Sequence, residues 1–263
     1  MPLTGLFLLP IAPGQSSPSP TLISHISRSF PAEPLPNFNL DHRLFVDTSS
    51  LHPAYDASLR KSTSLMTLSH TPLTTYVSTT SPKGRSQASG ISSQTSTHIT
   101  IPSSAADSFT QLIGTKLQPL WTHRQSLVIE NGTALSLKDG EWTLRIGDLK
   151  NPPRPNQAGP NLRGMLVEVS HMDDDDDKII QASKDGRDEA NTNSVDKDDE
   201  ALLRGFLESV TDGSGVSAII NPETSRSLIR RTSPQEKDRG APTSSPDFKL
   251  AVLYLDILRG PRG

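Results

Sequence analysis

The amino-acid sequence predicts an α+β fold, an antiparallel meander curled into a barrel-like sheet and flanked by helices, and three observations predict it. Between Leu120 and Val169, short alternating apolar runs are separated by Asn-Gly, Asp-Gly and a Pro-rich stretch, the pattern of strands joined by tight turns. Elsewhere, apolar residues recur at helical spacing, at Leu22–Phe30, Phe109–Leu117 and Leu202–Val210. Finally, only 33% of the 263 residues are hydrophobic and 5% aromatic, against roughly 45–50% apolar (glycine counted) in an ordinary domain. The apolar residues concentrate in Met1–Ser78, Phe109–Val169 and two short C-terminal segments, so one domain interrupted by solvated insertions is expected.

In chain order, Leu3–Ile11 is rich in Leu and Phe, as a strand buried on both faces would be; Pro10 and Pro13 and the lack of a preceding Lys or Arg argue against a leader peptide. Leu22, Ile23, Ile26 and Phe30 predict a short helix that stops before Pro31. Leu44–Asp47 reads as a compact strand, and Leu65–Leu68 and Tyr76–Val77 as a pair divided by Thr71-Pro72. Ser81–Ser93 reads as a loop, and Ser103-Ser104 as caps for a helix through Lys116. Leu127–Ile129 and Leu135–Leu137 flank Asn131-Gly132, which predicts a hairpin turn. Trp142–Ile146 and Met165–Val169 complete the meander.

Residues 1–172 are thus expected to form the main sheet domain, with helices near 18–30 and 103–117. Residues 173–198 are expected to be a disordered acidic insertion, since Asp173–Asp177 opens a run of like charge. Residues 199–263 are expected to form helices near 199–210 and 245–259, joined by a Pro-rich linker over Asn221–Ser245 and packed on the sheet. The second of these reads as an amphipathic terminal helix starting at Ser245-Pro246.

The chemistry-bearing residues do not assemble into a reacting centre. There is no cysteine, which removes disulfides, thiol nucleophiles and thiolate metal sites and fits a reducing compartment. None of the seven histidines pairs at ligand spacing; His42 beside Asp41 comes nearest, and neighbours on a strand face opposite ways. No Gly-x-Ser-x-Gly elbow, phosphate loop or dinucleotide fingerprint occurs, so no cofactor, metal or catalytic residue is expected. No run reaches the roughly 18 apolar residues of a bilayer span.

The net charge of −3 leaves no general nucleic-acid footprint. The acidic run lacks the alternation and Gly of a calcium loop; it reads as a solvated loop or, preceded by His171-Met172, as a protease-cleavage scar. Arg226, Arg230, Arg231, Lys237 and Arg239 make a basic segment that suits a linker or a localisation signal. Trp121 and Trp142 read as core or partner-facing aromatics, because no basic residues interleave with them as base stacking requires.

Taken in order, these elements resemble a known family. Met1–Leu6 with Leu9–Gly14, Phe45-Val46-Asp47 with Leu51-His52, and Met66–Thr71 followed by Pro72-Leu73 are similar to subunit 20 of the Mediator complex of RNA polymerase II. So are Trp142–Leu149 and Arg163-Gly164-Met165-Leu166-Val167-Glu168-Val169, which resemble the family's central strand pair. The Ser/Thr-rich loop, the acidic insertion and the Pro-rich linker depart from shorter members. The resemblance implies a non-catalytic nuclear subunit of the Mediator head. It would pair with subunit 18, be held through subunit 8, contact the TATA-binding protein, and bridge activators to the polymerase machinery. Leu253, Tyr254 and Ile257 are the expected partner-binding residues, because a terminal helix often docks late and Tyr tolerates half-burial. Two other classes fit less well: a small barrel-fold enzyme or ligand-binding protein using the sheet interior as a pocket, and a direct binder of promoter DNA.

Overall fold

Period-two alternation of apolar side chains makes β-strand the main element of the described residues, and the turns between make the strands antiparallel. The computed structural model describes residues 3–12, 14–48, 60–81, 96–152, 161–172, 197–231 and 245–259. The strands are β1 (Leu3–Pro10), β2 (Ala32–Asp47), β3 (Ser62–Leu68), β4 (Thr74–Thr80), β5 (Ser96–Pro102), β6 (Trp121–Leu137), β7 (Trp142–Asn151), β8 (Asn161–His171) and β9 (Arg226–Arg231). They form one curled sheet in the order β5-β4-β3-β2-β6-β7-β8-β1-β9, with antiparallel pairing throughout. The helices are α1 (Ser19–Ser29), α2 (Ala106–Gln111, extended at both ends by single irregular turns), α3 (Lys197–Thr211) and α4 (Pro246–Leu258). The α+β class and the half-barrel curl agree with the expectation. No described helix is long and apolar enough to cross a membrane.

Alternation divides the apolar residues between two faces. Leu3, Phe7 and Leu9 of β1 and Trp142, Leu144 and Ile146 of β7 point to the convex side, under α1 and α3. Leu6, Leu149 and Leu166 point to the hollow side with Phe38, Leu40 and Met66, and there meet α4. A smaller cluster of Phe45, Leu65, Val77 and Ile113 seats the α2 region on β2–β4.

Four differences from the sequence reading have physical reasons. Asn131-Gly132 is not a hairpin: β6 continues through it, with a register shift against β2 and β7. Asn131 takes a left-handed φ of 55°, its amide donates to Asn39 Oδ1 at 2.7 Å, and the pair serves as a bulge. The actual β6–β7 turn is Lys138-Asp139-Gly140, all three at positive φ. The compact strand at Leu44–Asp47 is the end of the 16-residue β2. The Asn221–Ser245 linker contains β9, which pairs with β1, and β5 forms where no strand was expected. Positions 173–196, Lys237 and Arg239 lie outside the described residues, and with them the disorder expected of the acidic run.

Several glycines set the curl. A Cβ on Gly147 would lie 2.5 Å from Ile129 Cγ2 and 2.9 Å from Phe38 Cζ, and one on Gly132 would lie 2.3 Å from Phe38 Cε1. Both leave room for Phe38 on the hollow side, where the bulge bends β6. Replacing Gly147 with Val should therefore overpack this corner and cost about 1–3 kcal/mol. Chemical denaturation should show a lowered midpoint; an unchanged midpoint would mean that Phe38 is not confined there.

Candidate functional site

The hollow of the sheet is occupied by α4. Ser245 caps it, its hydroxyl accepting from the Phe248 amide at 3.1 Å, and Pro246 and Asp247 suit a first turn. Phe248, Ala251, Val252, Leu253, Tyr254, Leu255, Ile257 and Leu258 are all buried. The helix is enclosed on nearly every side and is not amphipathic as expected. The three residues expected to bind a partner belong to this enclosed set: Leu253 is 5% exposed, and Tyr254 and Ile257 are 0%. They contact the chain's own sheet, so a partner could reach them only if α4 left its seat.

Tyr254 is fixed by a buried polar chain that the sequence did not reveal. Its hydroxyl donates to Glu168 Oε2. The other Glu168 oxygen accepts from the Arg145 guanidinium and from Ser170 Oγ at 3.3 Å, and Ser170 in turn meets Thr4 Oγ1 at 3.1 Å. Burial, then the negative charge of Glu168, hold the Tyr254 phenol well above its ordinary pKa, so it remains a donor. Glu168 is 1% exposed and Arg145 22%; a carboxylate so buried is tolerable because each oxygen has a partner.

At the other end of α4 the interior turns polar. Arg259 donates to Ser78 Oγ at 3.2 Å and reaches Asp256 at 3.6 Å. His42 is fully buried, and neither of its ring nitrogens has a hydrogen-bond partner among the described residues. Burial, then the charge of Arg259, lower its pKa from 6.5 to about 4. Asp41, on the opposite face, pairs with Arg43 at 2.7 Å, so the adjacent His and Asp part as strand geometry requires.

On the convex side, α3 is held by charge as well as by packing. Arg231 of β9 donates through Nε to Asp199 at 2.9 Å. Arg204 reaches Glu200 at 2.9 Å, the Ile220 carbonyl at 2.9 Å and Ser227 at 3.0 Å. The described part of the basic segment is thus an edge strand clamped to the acidic start of a helix. Gly5 permits the approach, since a Cβ there would lie 2.8 Å from Leu203 Cδ1. Trp142 is buried and stacks on Phe206 at 3.8 Å and 5°, while Trp121 is partly buried beside the Phe45 cluster. Among the described residues, no three His, Cys, Asp or Glu side chains group as metal ligands would.

The sequence model of the family described as "TATA-binding related factor (TRF) of subunit 20 of Mediator complex" matches residues 1–259. The chain belongs to the Mediator subunit 20 family. It is accordingly a Mediator subunit with a part in transcription regulation. The positions that carried the Mediator subunit 20 resemblance have structural tasks: Gly5 admits α3, Gly147 admits Phe38, and a Cβ on Gly164 would lie 2.7 Å from the Leu9 carbonyl oxygen, where β8 meets β1. No curated protein matches the chain. Among solved structures, the PH1819 protein from Pyrococcus horikoshii OT3 is 10% identical over 79% of this chain and 89% of that one, with a TM-score of 0.35. A putative adenylate cyclase from Vibrio parahaemolyticus is 13% identical over 78% and 88%, with a TM-score of 0.32. At such scores neither bears on the function of this Mediator subunit.

Two outcomes follow for the isolated chain. Ile257→Asp places a charge in a closed interior and should destabilise the fold by about 3 kcal/mol or more; a melting curve like that of the parent chain would show that α4 is not seated. His42 has a folded pKa below its unfolded one, so its contribution is complete above pH about 6.5 and is lost as the pH falls towards 4. The loss should amount to about 3 kcal/mol. Urea titrations from pH 7 to pH 4 should show this slope, and His42→Leu should flatten it.

Proposed function

We propose that this Mediator subunit is a non-catalytic, nuclear member of the head module that bridges gene-specific activators and the RNA polymerase II initiation machinery through protein–protein contacts. In this reading it forms a heterodimer with subunit 18, lies against subunit 8 and reaches the TATA-binding protein. The observation that carries the reading is the family match over residues 1–259. The filled interior supports it as well. A barrel-fold enzyme or ligand carrier would need the hollow of the sheet as its pocket, and Phe248, Leu253 and Tyr254 occupy that hollow. What remains for contact is the outer surface. Leu253, Tyr254 and Ile257 then serve attachment indirectly, by seating α4 and so fixing the curvature of the sheet that partners meet.

Affinity purification of the tagged chain from nuclear extract tests this. Subunit 18 and further head proteins should be recovered in near-stoichiometric amounts. Recovery as a monomer in gentle salt would overturn the head assignment.

A further inference from the structure

We propose that the cleft between α3, the end of α1 and the β6–β7 turn is a protein-docking site distinct from the α4 seat, taking a bulky apolar side chain of another polypeptide with a carboxylate beside it. The proposal rests on the reading of the chain as an assembly subunit.

The cleft has a volume of about 430 Å³, within the range of about 300–1,000 Å³ typical of binding clefts. Its walls are apolar: Phe30, Trp142, Leu202 and Phe206 line it, and Leu202 remains 43% exposed. The Trp142–Phe206 stack makes one wall stiff before any partner arrives, as anchor pockets at interfaces are.

Gly205 supplies an independent sign of an occupant. It lies inside α3 and lines the cleft, where glycine weakens a helix relative to Ala. Gly5, Gly132, Gly147 and Gly164 are explained by what presses on them, and Gly14, Gly140, Gly213 and Gly215 by a positive φ. At Gly205 an added Cβ would meet nothing within 4 Å, so no contact within the described chain requires the missing side chain. A partner approaching the helix backbone closely would require it.

The charge of the occupant follows from the rim. Lys138, in the β6–β7 turn at a φ of 49°, also lines the cleft, with its ammonium 5.9 Å from the centre of the Trp142 ring. The neighbouring Glu141 is turned to the Trp142 indole at 2.8 Å and to His171 at 3.2 Å. The cleft therefore offers a cation beside an apolar hole, complementary to an apolar anchor flanked by Asp or Glu. A second copy of this chain, docked with the two-fold axis passing through the cleft, would bring Lys138 towards its own counterpart and is disfavoured.

A photo-crosslinking p-benzoylphenylalanine placed at Leu202, in the chain purified as part of its complex, tests the assignment. The crosslinked peptide should come from another subunit and join at a bulky apolar residue within a few positions of an Asp or Glu. A crosslink to this chain's own residues 173–196, to a second copy, or to no polypeptide would overturn it. Gly205→Ala should leave the melting temperature of the isolated chain equal or higher, yet lower the crosslink yield per recovered subunit roughly tenfold. Lys138→Glu should lower it similarly and Lys138→Arg should preserve it. Yields unaffected by both Gly205→Ala and Lys138→Glu would overturn the proposal while the chain still co-purifies. Absence of the parent chain from the complex would instead sink the assembly reading, and this one with it.

Discussion

A sheet of nine strands that curls without closing leaves a hollow side that water must not wet, and in this molecule a helix from the same chain fills it. Much of the remaining architecture answers to that packing. Alternation along β1, β7 and β8 sends one set of apolar residues inward to α4 and the other outward to α1 and α3. Curvature in turn depends on small residues where strands bend, on Gly132 and Gly147 around the Phe38 ring, and on a bulge at Asn131. One buried carboxylate, Glu168, ties helix to sheet through Tyr254 while Arg145 balances its charge. Such a connection adds less net energy than apolar contact does, but it has a single geometry, and so fixes the depth and rotation of the helix.

Elements whose signals are local were legible in the sequence. Helix α1 ends at a Phe-Pro pair, α3 carries Leu203, Leu207 and Val210 on one face, and β7 and β8 alternate over their central residues. Elements that depend on distant partners were not. Strand β9 reads Arg-Ser-Leu-Ile-Arg-Arg, which looks like a solvated linker until β1 is placed beside it and Asp199 opposite Arg231; charge on an edge strand is how sheets avoid further pairing. Strand β5 is built of Ser, Thr and His with few large apolar groups. Asn-Gly supplies a left-handed residue to a bulge as readily as to a hairpin, and spacing alone does not distinguish them. The surroundings of Leu253, Tyr254 and Ile257 were not legible either. An apolar side chain has one sequence signature whether it faces its own sheet or a neighbour, and only the position of α4 in the hollow separates Tyr254 from Leu202.

The two faces of this Mediator subunit consequently have different characters. The hollow side is sealed by α4, and its polar atoms are spent on one another or, as at His42, Ser64 and His98, buried without a hydrogen-bond partner among the described residues. The convex side carries a helix clamped by Arg204 and Arg231, an aromatic stack at its edge and an exposed leucine. A subunit that works by contact needs a rigid core and an outward face with unfilled shape, and the division between β-sheet faces provides both.

The filling helix follows all nine described strands in chain order, and synthesis gives this a consequence in time. As the polypeptide leaves the ribosome, the strands emerge while the element that covers their hollow side is still inside the exit tunnel. For that interval Leu6, Phe38, Leu40 and Met66 face water or whatever chaperone is at hand, and the sheet has no neighbour on that side to settle its curvature. Long-range pairings such as β1 with β8 and β9 likewise wait for late segments. The nascent chain is therefore at its most adhesive until the filling helix has emerged, and the seating of that helix converts an aggregation hazard into a finished building block.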